Sequence, residues 1–246
     1  MRISIVVPTY NEAENLPRLA SALFALPLEL SILVVDDNSP DGTGAVADRL
    51  SNDDSRLQVL HRNGKEGLRS AYLAGIRHVL RGGAQAVLQM DADLSHDPAK
   101  IPELAAGLNE ADVVFGSRYV PGGSLDDDWP TWRRGLSSFG NHYARAILRI
   151  PVTDLTTGFR LWRVATLAGM PLDRIQSSGY VFLVEMAYMA FCLKYTIGEV
   201  PIHFSERQLG KSKMSLGVQA EAAIRVWHVW WHHRDLRRRG REARVT

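Results

Sequence analysis

Apolar runs at regular intervals organise the first half of the chain. Residues 3–7 and 31–35 are short, almost continuous aliphatic segments, which is typical of strands buried on both faces of a sheet. Between them, apolar residues recur with the spacing of one helix face; they are Leu16, Leu19, Ala20, Leu23 and Phe24. Asn11, with Glu14 three residues later, predicts the capped start of this helix.

The same alternation continues toward the middle of the chain. Strands are predicted at residues 57–61, 86–90 and 112–116, and helices at residues 45–50, after Gly67 and near residues 101–108. Strands that alternate with helices favour βαβ units. The predicted fold class is therefore α/β, with a Rossmann-like, mostly parallel sheet flanked by helices.

The second half of the chain is less regular. Helices are predicted at residues 133–148 and 180–193, a strand at 196–204 and a basic, glycine-containing loop at 205–215. No linker interrupts the pattern, so residues 1–216 are expected to form one domain. Residues 217–246 are expected to add a C-terminal amphipathic helix and a basic tail.

The composition is that of a globular protein: 46% of the residues are hydrophobic, 23% are charged, and the net charge is +2. Six arginines nevertheless crowd the last thirteen residues. The single cysteine, Cys192, excludes an internal disulfide and lies in an apolar stretch, so it is expected in the core. No signal peptide is expected, because Met1 and Arg2 lead directly into a strand pattern. No segment reaches the roughly 20 apolar residues that span a bilayer, so the protein is expected to be soluble or peripheral.

Two carboxylates directly follow the fourth predicted strand. Asp91 and Asp93 are two residues apart, and residues with that spacing project to the same face of a strand. They would meet at the carboxyl edge of the sheet, where open α/β folds bind ligands. Paired carboxylates at this edge suit Mg²⁺ or Mn²⁺, which can bind a diphosphate. The alternative is an ordinary solvated turn that caps the next helix.

Other polar segments end the neighbouring strands. Residues 8–12 follow the first strand and residues 36–42 the second, where an acidic residue commonly binds a base or ribose. The chain has no glycine-rich dinucleotide fingerprint and no P-loop, so together these segments favour a mononucleotide pocket. Arginines and lysines at positions 118, 133–134 and 207–213 suit phosphate oxygens, although any one of them alone would be interpreted as a surface charge.

Seven segments carry a family resemblance. They are, in chain order, VVPTYNE, VVDDNSPDGT, MDADLSHDP, GSRYVPGG, DLTTGFR, SSGYVFLVEM and FSERQLGKSKMS. The set resembles the inverting glycosyltransferases of family 2, and more closely the dolichol-phosphate or polyprenol-monophosphate mannose synthases. The resemblance covers residues 3–215. It implies a GT-A fold and a metal-dependent transfer of mannose from GDP-mannose to a polyisoprenyl phosphate.

By position in these motifs, the resemblance also implies roles for individual residues. The nucleotide would be held by Pro8, Tyr10, Glu12, Val35, Asp37, Asp91, Ala92 and Asp93. Asp91 and Asp93 would bind the metal, and a water would replace the third ligand because Ser95 stands where some relatives have a glutamine. The residues expected near the acceptor phosphate are Arg118, Arg133 and Ser137. Those expected to bind the donor diphosphate are Arg207 and Lys213.

The implied chemistry requires no general base. A phosphate monoester has a second pKa of about 6, so it is already a dianionic nucleophile at neutral pH. Positioning and charge neutralisation then suffice, and a direct displacement would invert the anomeric carbon. In DLTTGFR, Asp154 and Arg160 could shape the sugar pocket or serve the fold.

Two alternatives to this activity stay open. The same acids and basic loop would serve a UDP-glucose or another nucleotide-sugar donor. A non-catalytic module that binds nucleotide or nucleic acid belongs to a different class. Nucleic acid is not expected as a partner, because the basic residues are confined to the tail.

The C-terminal segment bears on how the protein would reach a lipid acceptor. One helical stripe contains Ala220, Ile224, Trp227 and Trp231, and another contains Val218, Ala222, Val229 and Leu236. One stripe could pack on the domain while the tryptophans and the arginine-rich end meet anionic lipid. The protein is therefore expected in the cytoplasm, peripheral at the cytoplasmic membrane face, with or without a membrane-protein partner. A packed terminal helix with a disordered basic tail is the alternative.

Overall fold

The computed structural model describes residues 1–126, 131–205 and 216–245, without the side chains of Thr131, Arg133 and residues 216–222. The strands within these ranges are β1 (Ile3–Thr9), β2 (Leu30–Asp36), β3 (Leu57–His61), β4 (Ala86–Gln89), β5 (Val113–Ser117), β6 (Ser124–Leu125), β7 (Arg160–Arg163), β8 (Ile197–Pro201) and β9 (His203–Phe204). The α-helices are α1 (Asn15–Phe24), α2 (Thr43–Asp53), α3 (Leu68–Val79), α4 (Ile101–Gly107), α5 (Thr131–Leu148), α6 (Val164–Ala168), α7 (Val181–Cys192), α8 (Leu216–His232) and α9 (Arg234–Arg239). Short 3₁₀ turns occupy Pro98–Lys100, Leu172–Arg174 and Gly240–Ala243.

A seven-stranded sheet forms the centre of the fold, in the order β3-β2-β1-β4-β7-β5-β8. Neighbouring strands run parallel except at β7, which is antiparallel to both β4 and β5. A second, two-stranded sheet pairs β6 with β9 in parallel. The predicted α/β class, with a mostly parallel sheet, is confirmed.

Helices cover both faces of the large sheet. On one face, α1, α2 and α4 bury residues such as Leu16, Ala47 and Leu104. On the other, α3, α5, α7 and α8 bury residues such as Tyr72 and Phe182. Burial of each large apolar side chain contributes about 1.5–3 kcal/mol. Because the central strands are covered on both sides, they are apolar almost throughout, which is why the continuous runs predicted them.

Strand β7 is the element that the apolar pattern did not predict. Its central position places Arg160 in register with Gln89 on one side and Phe115 on the other. The Arg160 side chain is fully buried, and its Nη1 and Nη2 donate to the carbonyls of Leu183 and Leu155 at 2.6 and 2.7 Å. Of the two roles considered for this arginine, the structure supports the structural one.

The predicted cap of the first helix was wrong. Helix α1 begins at Asn15, and the residue before it makes no side-chain cap hydrogen bond. Asn11 has a positive φ of 63°, and its N–H donates to the Ser39 hydroxyl at 3.1 Å. Because asparagine tolerates the left-handed region, this polar segment forms a turn between β1 and the helix rather than a cap.

The C-terminal helices present one buried and one exposed stripe. Val226, Val229 and Leu236 belong to the same core cluster as α5 and α7. Among the described side chains of α8, the exposed large hydrophobic ones are Ile224, Trp227 and Trp231, at 61%, 51% and 60%. These burials agree with the two predicted stripes, while the side chains of Val218, Ala220 and Ala222 lie outside the description. The predicted domain boundary near residue 216 stays a prediction.

Candidate active site

An open pocket lies at the carboxyl edge of strands β1 to β4, the edge where open parallel sheets bind ligands. Its volume is about 680 Å³ with its open mouth included. The pocket brings together most of the residues predicted to hold nucleotide and metal; they are Pro8, Tyr10, Glu12, Asp37, Asp91, Ala92 and Asp93. These residues come from the end of β1 and from the loops that follow β1, β2 and β4.

Val35 is the exception among the predicted nucleotide residues. Its side chain is fully buried and packs in the cluster that contains Val6 and Ala71. Alternate residues of a strand point to opposite faces, and this position of β2 points toward α3. The Val35 side chain therefore points away from the pocket, and the predicted role of this residue in holding the nucleotide stays a prediction.

Several residues that line the pocket were not individually predicted from the sequence. They are Thr9, Lys65, Gly67, Leu68, Ala71 and Tyr180. For Lys65, Gly67 and Leu68, the sequence offered only a strand end followed by a glycine. The order of strands in the sheet is what shows that β3 ends at the same edge as β1 and β4. Tyr180 lies inside one of the seven family motifs, although no role was assigned to it.

Hydrogen bonds from neighbouring side chains orient the two aspartates that follow β4. The Tyr72 hydroxyl donates to Asp91 Oδ1 at 3.2 Å. The Ser95 hydroxyl and backbone N–H donate to Asp93 Oδ1 at 2.6 and 3.1 Å. Burial, reinforced by the Asp91 carboxylate, raises the pKa of Tyr72 well above its usual value, so the phenol stays protonated and can donate. Such supporting contacts are typical around metal-binding carboxylates.

This donor set fits a hard divalent cation. Carboxylate oxygens are the ligands that Mg²⁺ and Mn²⁺ prefer, and both aspartates line the pocket. The described residues contain no group of three or more His, Cys, Asp or Glu side chains that could hold a metal ion. The remaining ligands would have to be water or donor phosphate. Ser95 is fully buried, and its hydroxyl donates to Asp93, so it helps to orient that carboxylate.

His96 packs behind the acidic segment and connects it to β9. Its ring stacks on Phe159 and meets Phe204 edge-on, with centroids 5.0 and 5.3 Å apart. Burial lowers the pKa of His96, which favours the neutral imidazole. A bridge joins His96 to Phe204, and the Ser205 N–H donates to the Ser95 carbonyl at 3.2 Å. Residue 205 therefore lies beside the acid pair.

Three predicted phosphate-binding side chains cannot be placed. Arg133 belongs to α5, but its side chain lies outside the description, and Arg207 and Lys213 fall wholly outside the described residues. Their roles stay predictions.

Arg118, at the end of β5, is paired with Asp154. Its backbone N–H and Nε donate to Asp154 Oδ2 at 3.1 and 2.6 Å, and its Nη2 donates to Oδ1 at 2.7 Å. Both side chains are buried, at 8% and 0% exposure. Burial alone would raise the pKa of Asp154, but the charge and hydrogen bonds of Arg118 hold that pKa below its usual value. Asp154 therefore has a structural role, and its carboxylate accepts hydrogen bonds from two of the three nitrogens of the Arg118 guanidinium.

A polar network connects this ion pair to α5. Arg118 Nη2 also donates to the Thr156 hydroxyl at 2.7 Å, and Asn141 Nδ2 donates to the same oxygen at 3.1 Å. One turn before Asn141, Ser137 accepts a hydrogen bond from the Tyr119 hydroxyl at 2.7 Å. The structure thus places Arg118 and Ser137 in one region. Their contact with an acceptor phosphate stays a prediction.

Comparison with known proteins identifies the family. The model of the family described as glycosyl transferase family 2 matches residues 4–168. The chain belongs to glycosyl transferase family 2. It is therefore a glycosyltransferase, and the resemblance inferred from the seven motifs is confirmed.

Named relatives match nearly the whole chain. An undecaprenyl-phosphate mannosyltransferase from Micrococcus luteus is 46% identical over 226 residues, which cover 92% of this chain and 93% of the relative. A polyprenol monophosphomannose synthase from Mycolicibacterium smegmatis is 43% identical over 227 residues, covering 92% of this chain and 85% of the relative.

Solved structures support the fold. Glucosyl-3-phosphoglycerate synthase from Mycobacterium tuberculosis, solved with Mn²⁺, uridine diphosphate and phosphoglyceric acid, superposes with a TM-score of 0.66 at 17% identity, covering 93% of this chain and 76% of that one. Mannosyl-3-phosphoglycerate synthase from Rubrobacter xylanophilus gives a TM-score of 0.63 at 17% identity, covering 98% of this chain and 75% of that one. At these identities the likeness establishes the architecture.

Proposed function

We propose that the protein transfers mannose from GDP-mannose to a dolichyl or polyprenyl phosphate, giving polyprenyl-phosphate mannose. The observation that carries the proposal is the pocket where the acid pair meets the polar residues that end β1 and β2. Relatives 43% and 46% identical over 92% of the chain are named for polyprenol mannosyl transfer, which supports the sugar and the acceptor. The choice of GDP rests on the motif resemblance.

The donor diphosphate would lie at the β4 end of the pocket. Asp91 and Asp93 would hold Mg²⁺ or Mn²⁺ there, with Tyr72 and Ser95 fixing their orientation. A bound divalent cation would neutralise the diphosphate and stabilise the charge that develops on the departing nucleotide. Arg207 and Lys213 would add positive charge to the same leaving group.

The acceptor phosphate needs to be placed rather than activated. As a dianion at neutral pH it can attack the anomeric carbon directly, from the face opposite to the leaving nucleotide, which inverts that carbon. Arg118 and Ser137 lie in one region at the end of β5 and on α5, and together they would receive this phosphate. No general base is required.

Labelled GDP-mannose incubated with a short polyprenyl phosphate, with Mn²⁺ or Mg²⁺ and with a chelator, tests the proposal. Metal-dependent formation of a labelled, lipid-soluble product is expected, and its β configuration by NMR would establish inversion. UDP-glucose run in parallel tests the second donor; transfer only from UDP-glucose would correct the donor and keep the mechanism. Failure of transfer from both would contradict the proposal.

Two variants make this assay specific for the acid pair. Asp93→Ala is expected to abolish transfer, because it removes a buried carboxylate at the pocket. Asp97→Ala is the matched control, since Asp97 belongs to the same segment but is exposed and only caps the following 3₁₀ turn through the Ala99 N–H at 2.9 Å. Equal activity of the two variants would remove the acid pair from the mechanism.

The proposal includes peripheral attachment to the cytoplasmic membrane face. The described part of the chain contains no helix long and apolar enough to cross a bilayer. The exposed stripe of α8 instead ends beside Arg234, whose guanidinium lies 3.8 Å from the Trp231 ring centroid. Exposed arginines follow it; they are Arg238, Arg239 and Arg241. Tryptophan favours the membrane interface, and each arginine near an anionic leaflet contributes about 1 kcal/mol.

Helix α5 extends the same exposed surface. Phe139 is 66% exposed and stacks on Tyr143, with centroids 6.2 Å apart. The Trp227 Nε1–H donates to the Tyr143 hydroxyl at 3.1 Å, so the apolar faces of the two helices are adjacent. A surface shared by two helices supports a firmer attachment than the tail alone would give.

Sedimentation with anionic and with neutral liposomes tests the attachment. Replacing both Trp227 and Trp231 by Gln is expected to lower the bound fraction on anionic vesicles. The control is His228→Gln, an exposed position of the same helix outside the stripe. Deleting the tail is a poorer test, because Val229 and Leu236 belong to the core. Equal binding by the double variant and the control would count against membrane docking through this stripe.

A further inference from the structure

Glu185 is a buried carboxylate that the chemistry described above does not use. It lies on α7 and is 1% exposed, and it accepts hydrogen bonds from the backbone N–H groups of Gln176 and Ser177 at 3.2 and 2.7 Å. A buried charge is tolerated only where such donors compensate for the lost water. The carboxylate thus ties the helix to the segment that precedes it and closes a short loop of chain.

This closed loop carries Tyr180, which lines the pocket and is 44% exposed. Only two exposed residues, Ser178 and Gly179, separate Tyr180 from the anchored Ser177. Gly179 has a positive φ of 56°, a conformation that glycine adopts without strain. The position of Tyr180 at the pocket therefore depends on the anchor that Glu185 provides.

The third partner of the Glu185 carboxylate comes from the C-terminal helices. His233 joins α8 to α9, is fully buried, and its Nε2 lies 2.8 Å from Glu185 Oε1. Burial alone would raise the pKa of Glu185, but the hydrogen bonds from His233 and Ser177 hold that pKa below its usual value. An ionised carboxylate can only accept, so His233 Nε2 carries the proton.

The other ring nitrogen of His233 supports this assignment. Among the described residues, Nδ1 has no hydrogen-bond partner. Burial lowers the pKa of His233, which favours the neutral ring with Nδ1 unprotonated. Within the described part of the chain, the hydrogen bonding of this imidazole is therefore directed at Glu185 alone.

A second contact joins the same segment to the C-terminal helices. Arg174, two residues before Gln176, donates through Nη1 and Nη2 to the two carboxylate oxygens of Asp235 at 2.7 and 2.8 Å. Its Nη2 also donates to the His232 carbonyl at 3.0 Å. Such bidentate pairs fix orientation as well as distance. The segment before Tyr180 is thus attached twice to the helices whose exposed stripe would meet the membrane.

We propose that Glu185 and His233 are positioning residues for the transfer reaction, which couple the C-terminal helices to the pocket by holding the loop that carries Tyr180. Neither residue lines the pocket, so both would act through that loop. The kinetic part of the test rests on the proposed function, whereas hydrogen exchange examines the link without any substrate.

Hydrogen exchange followed by mass spectrometry, in the peptide that contains Gln176 and Ser177, measures the anchor directly. In His233→Leu, which removes the donor to Glu185, exchange is expected to be about tenfold faster than in the wild type, because a hydrogen bond to a charged group is lost. His233→Gln should stay close to the wild type, since its amide can still donate to Glu185. The control is His228→Leu, the same change at an exposed position of α8, which should have no effect.

Unchanged exchange in His233→Leu would overturn the proposal. Asp235→Asn covers the case in which His233→Leu does not fold, because the Asp235 side chain is 44% exposed and its loss buries no unpaired charge. This variant weakens the second attachment, so exchange in the same peptide should again be faster than in the wild type. Unchanged exchange there would also contradict the proposal.

A double-mutant cycle with Tyr180→Ala tests whether the link acts through the loop. His233→Leu is expected to lower kcat for mannosyl transfer at least about tenfold, because small misplacements in an active site are costly, and His233→Gln should restore it. In the Tyr180→Ala background the same change should matter less than about threefold. An equal factor in both backgrounds would show a general effect on the fold and overturn the positioning role. A wild type without transfer would contradict the proposed function, while hydrogen exchange would still decide on the link.

Discussion

The buried ion pair between Arg118 and Asp154 allows a quantitative prediction. Asp154→Asn keeps the size of the side chain and one acceptor oxygen, but it leaves the guanidinium without its counter-charge at 8% exposure. Removing one partner of a buried pair costs roughly 3–5 kcal/mol, because the remaining charge stays desolvated. An asparagine oxygen in the place of Oδ2 can still accept two of the three Arg118 hydrogen bonds, so we expect about 3 kcal/mol, the lower end of this range.

Urea unfolding at pH 7, followed by circular dichroism, measures this loss. Domains of this kind unfold with about 5–15 kcal/mol, and slopes of about 1–3 kcal/mol per molar urea convert the expected loss into a midpoint lowered by at least about 1 M. Asp54→Asn is the matched control. Asp54 also binds an arginine, Arg56, at 2.6 Å, but that pair is exposed, so the midpoint should hardly change.

A loss below about 1 kcal/mol for Asp154→Asn would refute the reasoning, because it would mean that water or another group compensates Arg118. Asp154→Asn also tests the predicted role of Arg118 in binding the acceptor phosphate. If Arg118 contacts the acceptor phosphate, its displacement should raise the KM for the acceptor and leave the KM for the donor unchanged. An equal rise in both would show a general distortion of the site.

Three further predictions concern stability. Gly75→Ala would place a Cβ 2.4 Å from Val6 Cγ1 and should destabilise the protein by roughly 1–3 kcal/mol in the same unfolding assay. Gly140→Ala, in α5 with nothing within 4 Å, should stabilise it by about 0.5–1 kcal/mol, and a loss there would contradict the helix-propensity argument. Hydrogen bonds from Arg174 lower the pKa of Asp235 to about 2, below its unfolded value of about 3.9. Its stabilisation should therefore be complete above about pH 5 and be lost progressively as the pH falls through the folded pKa toward about pH 1, so the difference in unfolding free energy between wild type and Asp235→Asn should shrink over that window; a difference as large at about pH 1 as at pH 7 would exclude this titration.

The fold was predictable where burial is continuous in the sequence. Strands β1, β2 and β4 are apolar on both faces, so their positions could be predicted to within two or three residues. Strand β7 has four residues and begins with a buried arginine. Its place in the sheet depends on distant carbonyls that accept the Arg160 hydrogen bonds, and a local pattern carries no information about them.

The site was predictable where the chemistry is local. The spacing of Asp91 and Asp93 at a strand end was enough to predict that both reach one pocket. Lys65 and Tyr180 could not be found in this way, because they enter the pocket through the order of strands and the packing of α7. For Val35 the reverse holds. Its place in a motif could be recognised from the sequence, but the alternation of side chains along β2 puts its side chain in the core.

The antiparallel strand in the middle of the sheet also affects how the chain folds during synthesis. Strands β1 to β4 can pair as soon as they leave the ribosome, but β4 then has an open edge until β7 is made roughly 70 residues later. At about 5–20 residues per second this interval lasts roughly 4–14 s. The residues of β4 are buried in the folded protein, and an exposed strand edge made of such residues can pair with a strand of another chain. The nascent protein is therefore most prone to aggregate while residues 90–160 are being translated, before the acceptor side of the enzyme exists.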